Sequence, residues 1–126
     1  MKLNVDCIRD ILLFLESLDY EQTTNLEKIH QTLSEYSINE ISYTCLKLKE
    51  AELINADSIS AAGHTLPQIY RIYDITYLGH QFLENIYSDS NWHKVKDIAS
   101  KIGTYSLSAL TQIASTVVSN LISNHL

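Results

Sequence analysis

The sequence predicts a mainly α-helical chain with one small antiparallel β-hairpin, and three observations carry that expectation. Apolar residues recur at helical spacing through most of the 126 residues. A single Pro and three Gly leave few helix breakers. Ile69-Tyr70-Arg71-Ile72-Tyr73-Asp74-Ile75 then alternates as a strand does and runs directly into Thr76-Tyr77-Leu78-Gly79-His80-Gln81-Phe82-Leu83. Thr76 is placed there as an N-cap whose hydroxyl takes the Gly79 N–H, and Leu78, Phe82, Leu83 and Ile86 repeat at helical spacing behind it. A glycine in a first turn costs about 1 kcal/mol against alanine, so Gly79 implies close approach of that turn to another backbone.

The remaining elements follow in order. Asn4 caps a first helix marked by Val5, Ile8, Ile11, Leu12, Leu15 and Leu18 and ending near Leu18. Asp19 to Thr24 is polar and turn-like, and Leu26, Ile29 and Leu33 suggest a short second helix, with a strand as the alternative. Ser37-Ile38-Asn39-Glu40 is a capping box that opens a third helix from Ile38 to about Glu52. Its Ile38, Ile41, Cys45 and Leu48 share one face, and Asn39, Tyr43, Leu46, Lys47 and Glu50 the opposite one. Leu53 to Ile59 and Ile69 to Ile75 read as the two hairpin strands, with Gly63 and Pro67 in the loop between them. Alternation puts Ile69, Arg71, Tyr73 and Ile75 on one face and Tyr70 and Ile72 on the other. After the helix headed by Thr76, the Ser88 to Asn91 turn opens a helix with stripe Trp92, Val95, Ala99 and Ile102, stopped by Gly103. Ser106 caps the last helix, whose broad apolar face holds Leu107, Leu110, Ile113, Ala114, Val117, Val118, Leu121 and Ile122.

Helix, helix, helix, strand, loop, strand is the order of a winged helix-turn-helix core, here followed by two C-terminal helices beyond the one headed by Thr76. The organisation expected is a winged-helix domain with its following helix over residues 1–87 and a helical extension over 88–126, packed as a single structural unit.

Composition narrows the function classes. The length suits one domain that buries about two-thirds of its unfolded surface. Cys7 and Cys45 lie within apolar patterns and lack C-x-x-C spacing, so they read as reduced core thiols. No leader-type segment or membrane-length apolar run is seen, and the expected compartment is the cytoplasm. His30, His64, His80, His93 and His125 show no metal-ligand spacing, and no G-x-S-x-G elbow or phosphate loop occurs. The chain is therefore expected not to be an enzyme and to need no cofactor, metal or small-molecule substrate. Net charge is −6. Met1 to Ser37 carries three basic against seven acidic side chains, which works against the electrostatic attraction that supplies most non-specific DNA affinity. Ser106 to Leu126 carries no Lys, Arg, Asp or Glu.

The candidate contact surface is the outer face of the third helix with the wing. Asn39, Ser42, Tyr43 and Lys47 would read DNA, with Lys49 near the phosphates and His64 and Arg71 from the wing. Ile38 to Asp74 holds just Lys47, Lys49 and Arg71 as Lys or Arg against Glu40, Glu50, Glu52, Asp57 and Asp74. Tyr43 and Leu46 make the same face partly apolar, as a protein-binding surface would be. A second candidate surface is the last helix, where Leu107, Leu110, Ile113, Val117 and Leu121 are expected to pair with a second copy as a homodimer.

Met1 to Leu12, Glu50-Ala51-Glu52-Leu53-Ile54 and above all Thr76-x-x-Gly79-His80-x-Phe82-Leu83-x-x-Ile86-x-x-Asp89-x-x-Trp92-x-x-x-Lys96 resemble a bacterial and prophage-borne family, domain of unknown function 2513. Gly103 to Leu107 resembles that family's entry into its last helix. The resemblance implies a winged-helix fold and an association with mobile elements, and brings no activity with it. Family members tend to carry Gly where this chain has Glu52, and often His near Thr44. Two functions follow as expectations: a phage or prophage DNA-binding regulator or accessory factor, or an acidic protein-binding module such as an inhibitor of a host or defence protein.

Overall fold

A computed structural model describes residues 1–126. Its elements are α1 (Val5–Glu16), α2 (Leu26–Thr32), α3 (Ile38–Glu50), β1 (Ile54–Ile59), β2 (Gln68–Ile75), α4 (Tyr77–Ile86), α5 (Asp89–Ile102) and α6 (Leu107–Asn124). This is a mainly α fold with a two-stranded antiparallel sheet. No helix is long and apolar enough to cross a membrane. The chain forms two compact units, Met1–Gly79 and His80–Leu126. The boundary falls inside α4, eight residues before the 87/88 division expected from turn residues.

In the first unit, local capping explains where the helices begin. Asn4 accepts from the Asp6 and Cys7 N–H groups at 3.1 and 3.3 Å, and Asn25 caps α2 from Lys28 N–H at 2.9 Å. Ser37 and Glu40 complete the capping box of α3, at 3.1 Å one way and 3.3 Å the other. Glu40 also accepts from the Asn4 side chain at 3.1 Å, so one carboxylate joins the starts of α1 and α3. Tyr36 donates to Asp10 at 2.6 Å and ties the α2–α3 turn to α1. Around these polar ties the core is built from Cys7, Ile8, Ile11 and Leu12 of α1, Ile29 of α2, and Ile41, Cys45 and Leu48 of α3, all fully buried.

The hairpin departs from simple alternation. Ile54 pairs with Ile75 and Asn55 with Asp74, but Ala56 pairs with Ile72 and Ser58 with Ile69, so β2 carries two extra residues, Tyr73 and Tyr70. Each bulge reverses the in/out sense of the residues beyond it. Ile69, Ile72 and Ile75 are consequently all buried, while Tyr70, Arg71 and Tyr73 are all exposed. The expected sharing of a face by Arg71 with Ile69 and Ile75, and by Tyr70 with Ile72, is corrected by these bulges. Thr24 adds a third, one-residue rung to the sheet by exchanging two backbone hydrogen bonds of 2.9 Å with Ile72. That segment read as a simple turn.

The end of α3 and the start of α4 interlock. Glu52 N–H donates to Lys49 O and Leu53 N–H to Leu48 O, the two bonds of a Schellman stop, with Glu52 at φ 61° where glycine is the usual occupant. The Thr76 hydroxyl donates to Glu52 O at 2.7 Å and accepts from Gly79 N–H at 3.0 Å, while Thr76 N–H donates to Leu53 O at 3.1 Å. A Cβ on Gly79 would overlap the Leu53 carbonyl oxygen and the Ile75 side chain. The close approach expected at Gly79 is thus to the backbone of Leu53.

In the second unit α5 packs against α6. Ser88 caps α5 and Ser106 caps α6, each accepting at 3.1 Å, and Gly103 ends α5 in the left-handed region at φ 86°. Trp92, Val95 and Ala99 of α5 are buried with Leu107, Leu110, Ala114 and Val117 of α6. Ile102 and Ile122 leave their expected stripes and are exposed, as is Leu78 at the start of α4.

Candidate functional site

Five of the eight side chains singled out on the third helix and wing converge on one concave surface. A cleft of about 330 Å³ lies between α3 and the loop joining β1 to β2, and Asn39, Ser42, Tyr43, Leu46 and His64 line it with Met1, Leu66, Pro67, Gln68 and Ile69. Helical spacing brings Asn39, Ser42, Tyr43 and Leu46 to one side, and the hairpin carries His64 to the other. Leu46 is 5% exposed, so it serves as the floor of the cleft and is no longer part of an outer surface. Leu66 and Pro67 stand exposed on the opposite wall. A turn closed by His64 N–H to Ala61 O at 3.2 Å, with Gly63 at φ 82°, reverses the wing and presents His64. The sequence signal for this uncharged wing is its own composition, since Ser58 to Tyr70 contains no Lys, Arg, Asp or Glu.

The three basic candidates lie outside this lining. Lys47 forms a salt bridge of 2.8 Å with Glu50 and sits over the Tyr43 ring at 5.3 Å. Its ammonium is held above the ordinary lysine range, first by the hydrogen bond to Glu50 and then by the nearby charge. Arg71 lies over Tyr70 at 5.4 Å on the exposed face of β2. Next to it the Tyr73 hydroxyl donates to Asp57 at 2.5 Å, which raises the phenol above its ordinary value. Asn55 donates to Asp74 at 2.8 Å on the same hairpin. Lys49 is half-buried near the end of α3. Two of the three cations of this surface, Lys47 and Arg71, thus stand beside a carboxylate or an aromatic ring.

A second cleft, of about 450 Å³, adjoins the first and shares Asn39, Ser42, Gln68 and Ile69 with it. Its far side is formed by Asn25, Leu26 and Glu27 at the start of α2, Ile38, and Ile59 and Tyr70 of the hairpin. Ile38, placed on the core face by periodicity, is exposed there, because as the first residue of α3 it lies beyond the packed turns.

Burial pushes the Cys7 thiol up to about 11, against a weaker lowering effect of the neighbouring Thr44 side chain, and raises Cys45 further. Thr44 itself is buried, its hydroxyl donating to Glu40 O at 2.7 Å. No group of three or more His, Cys, Asp or Glu side chains is arranged to hold a metal ion.

On α6, Leu107, Leu110 and Val117 are buried within the single chain, while Ile113 and Leu121 are half-buried. Most of the seam expected to meet a second copy is thus occupied by the chain's own packing.

No curated protein and no solved structure matches this chain. Residues 2–106 match the family described as hypothetical protein DUF2513, from the start of the first unit through α5 to the cap of α6. The matched segment spans the interlock at Glu52, Thr76 and Gly79, the α3–wing clefts, and the Asp89, Trp92 and Lys96 positions on which the resemblance rested. With most of its length inside that match, the chain belongs to the DUF2513 family.

Proposed function

We propose that the protein is a winged-helix module that recognises a protein partner through the face made by α3 and its wing. One observation carries the reading: the cleft between these elements is lined by no Lys, Arg, Asp or Glu side chain, and its floor is the buried Leu46. An interface whose centre is apolar and uncharged, with polar groups at the rim, is the pattern of protein recognition. Phosphate contact asks for the opposite, several cations free to displace counterions. Lys47 is already engaged by Glu50, and the net charge is −6. The protein would act in the cytoplasm, in keeping with its two buried free thiols. Any homodimer through α6 would use Ile113, Leu121 and the exposed Ile122.

A second reading, a DNA-binding regulator of phage or prophage origin, has the element order in its favour, since α3 and a wing are the parts such modules lay on duplex DNA. A photo-crosslinking amino acid at Tyr43, introduced in the native host, decides between the two. A defined protein adduct that disappears with Ser42→Arg supports the first reading. Absence of any protein adduct, together with duplex binding that weakens steeply with salt, overturns it.

A further inference from the structure

Away from the clefts, the hairpin leaves one edge of its sheet unpaired. β1 has β2 on one side and no strand on the other, since the Thr24 rung attaches to β2. Ile72 exchanges both of its backbone hydrogen bonds with Thr24, so its pairing with Ala56 is a non-hydrogen-bonded pair of the β1–β2 ladder. The Ala56 N–H and C=O therefore point away from β2, and the two-residue period of a strand turns those of Ser58 the same way. No other hydrogen bond of the chain reaches these four groups. Ile54 is buried at the head of the strand, whereas Ala56 and Ser58 keep part of their surface exposed. None of Ala56, Asp57 and Ser58 lines either cleft.

We infer that the outer edge of β1 takes up a short, extended, basic segment of a partner protein, which adds as a strand beside Ala56 and Ser58 and sets a Lys or Arg against Asp57. The backbone selects extended chain, because alternating N–H and C=O groups along an edge are matched by another strand. A helix spends its own amides internally and leaves them unmatched. Native edges are commonly blocked by Lys, Pro or a bulge. β1 contains neither Lys nor Pro, and both extra residues of the hairpin lie on β2. Charge selects the side chain. Asp57 is exposed between Ala56 and Ser58, and its Oδ2 accepts from the Tyr73 hydroxyl while the carboxylate joins no salt bridge, which leaves Oδ1 as an acceptor. A residue directly opposite Asp57 on an added strand projects to the same face. From Ala51 to Tyr70 the chain carries Glu52 and Asp57 and no Lys or Arg. Arg71, across the ladder from Asp57, sits over the Tyr70 ring at 5.4 Å. A second copy of β1 would bring the same carboxylate to this edge, against a net charge of −6 on each chain.

The test uses the full chain, amide hydrogen exchange and a displayed library of short peptides, with a soluble selected peptide as the probe. In the free chain the Ala56 and Ser58 amides are expected to exchange fast and the Asp57 amide, directed at β2, slowly. Selected peptides are expected to carry Lys or Arg, to bind more weakly as salt rises, and to protect the Ala56 and Ser58 amides. Methylating the peptide's backbone nitrogens on the side that meets β1 is expected to weaken binding about tenfold or more. Asp57→Asn, an exposed and nearly isosteric change, is expected to weaken it about fivefold with unchanged circular dichroism. Slow exchange at Ala56 and Ser58 in the free chain overturns the proposal, as does enrichment of acidic or helical peptides or of none. Binding indifferent to backbone methylation or to Asp57→Asn overturns it as well, and so does a doubling of solution mass that protects the same two amides, which would assign the edge to a second copy. The Tyr43 crosslink reports on the α3–wing cleft and is read separately, so either surface can fail without the other.

Discussion

At the scale of single residues, the interlock between α3 and α4 holds two side chains to opposite demands. Glu52 occupies a left-handed stop whose hydrogen bonds involve only its backbone, so its side chain contributes nothing there and its Cβ is strained. Glu52→Gly is expected to stabilise the chain by about 1 kcal/mol, partly offset by the greater freedom of glycine when unfolded, as read from urea unfolding midpoints. Gly79 faces the reverse situation. Its missing Cβ is the space taken by the Leu53 carbonyl, a backbone atom that cannot rotate aside. Gly79→Ala is expected to destabilise by about 2 kcal/mol or more; an unchanged unfolding midpoint would exclude the close approach. The hydroxyl of Thr24 is buried without a hydrogen-bond partner, so Thr24→Val is expected to be neutral or stabilising by up to about 1 kcal/mol. The Gly79 contact was legible in the sequence because a first-turn glycine has few other physical reasons. The Thr24 rung was not, because one paired residue leaves no periodicity to read.

At the scale of elements, caps and periodic helices were the most legible parts, since Asn4, Ser37, Thr76, Ser88 and Ser106 all accept the backbone N–H groups that local chemistry assigns them. The wing was misread for a definite reason. Its buried isoleucines stand three apart at 69, 72 and 75, and a strict two-residue period cannot bury all three, so the spacing itself signalled the bulges at Tyr70 and Tyr73. Those bulges turn both tyrosines outward and make the wing an aromatic surface. The capping box of α3 carries a pH dependence. Hydrogen bonds from Asn4 first, and then from the Ser37 backbone, lower the Glu40 carboxyl below its ordinary value of 4.5. The folded state thus holds the ionised form more strongly than the unfolded chain does. This contribution is fully present above about pH 4.5 and is lost as pH falls through the lower folded value. Glu40→Gln is expected to flatten stability against pH in that acidic window while leaving the neutral-pH fold intact, measured by thermal melts from pH 3 to 7. An identical acid slope in the variant would place the titrating group elsewhere.

At the scale of the whole molecule, the distribution of charge matters more than its sum. Duplex binding loses log affinity with log salt at a slope of about −0.9 for each phosphate neutralised. The α3–wing face offers Lys47, Lys49 and Arg71, of which Lys47 is bridged to Glu50 at 2.8 Å. The two cations outside that salt bridge permit a slope of only about −2, well short of the dependence expected of a protein held on DNA by many phosphate contacts. Repulsion from an acidic first helix region, with seven carboxylates against three cations from Met1 to Ser37, reduces affinity further. Duplex DNA is therefore expected to show no defined complex at physiological salt, and charge reversal at Lys49 and Arg71 is expected to leave the proposed partner capture at the α3–wing cleft unchanged, as measured by the Tyr43 crosslink. Glu50→Gln provides the sharper check. Releasing Lys47 from its carboxylate adds a cation to this face without altering the cleft lining, so it should raise any weak, salt-sensitive DNA association while leaving the protein adduct as it was. If Glu50→Gln instead abolishes the adduct, the Lys47–Glu50 pair belongs to the proposed partner interface, and recognition extends down α3 beyond the cleft lined by Leu46.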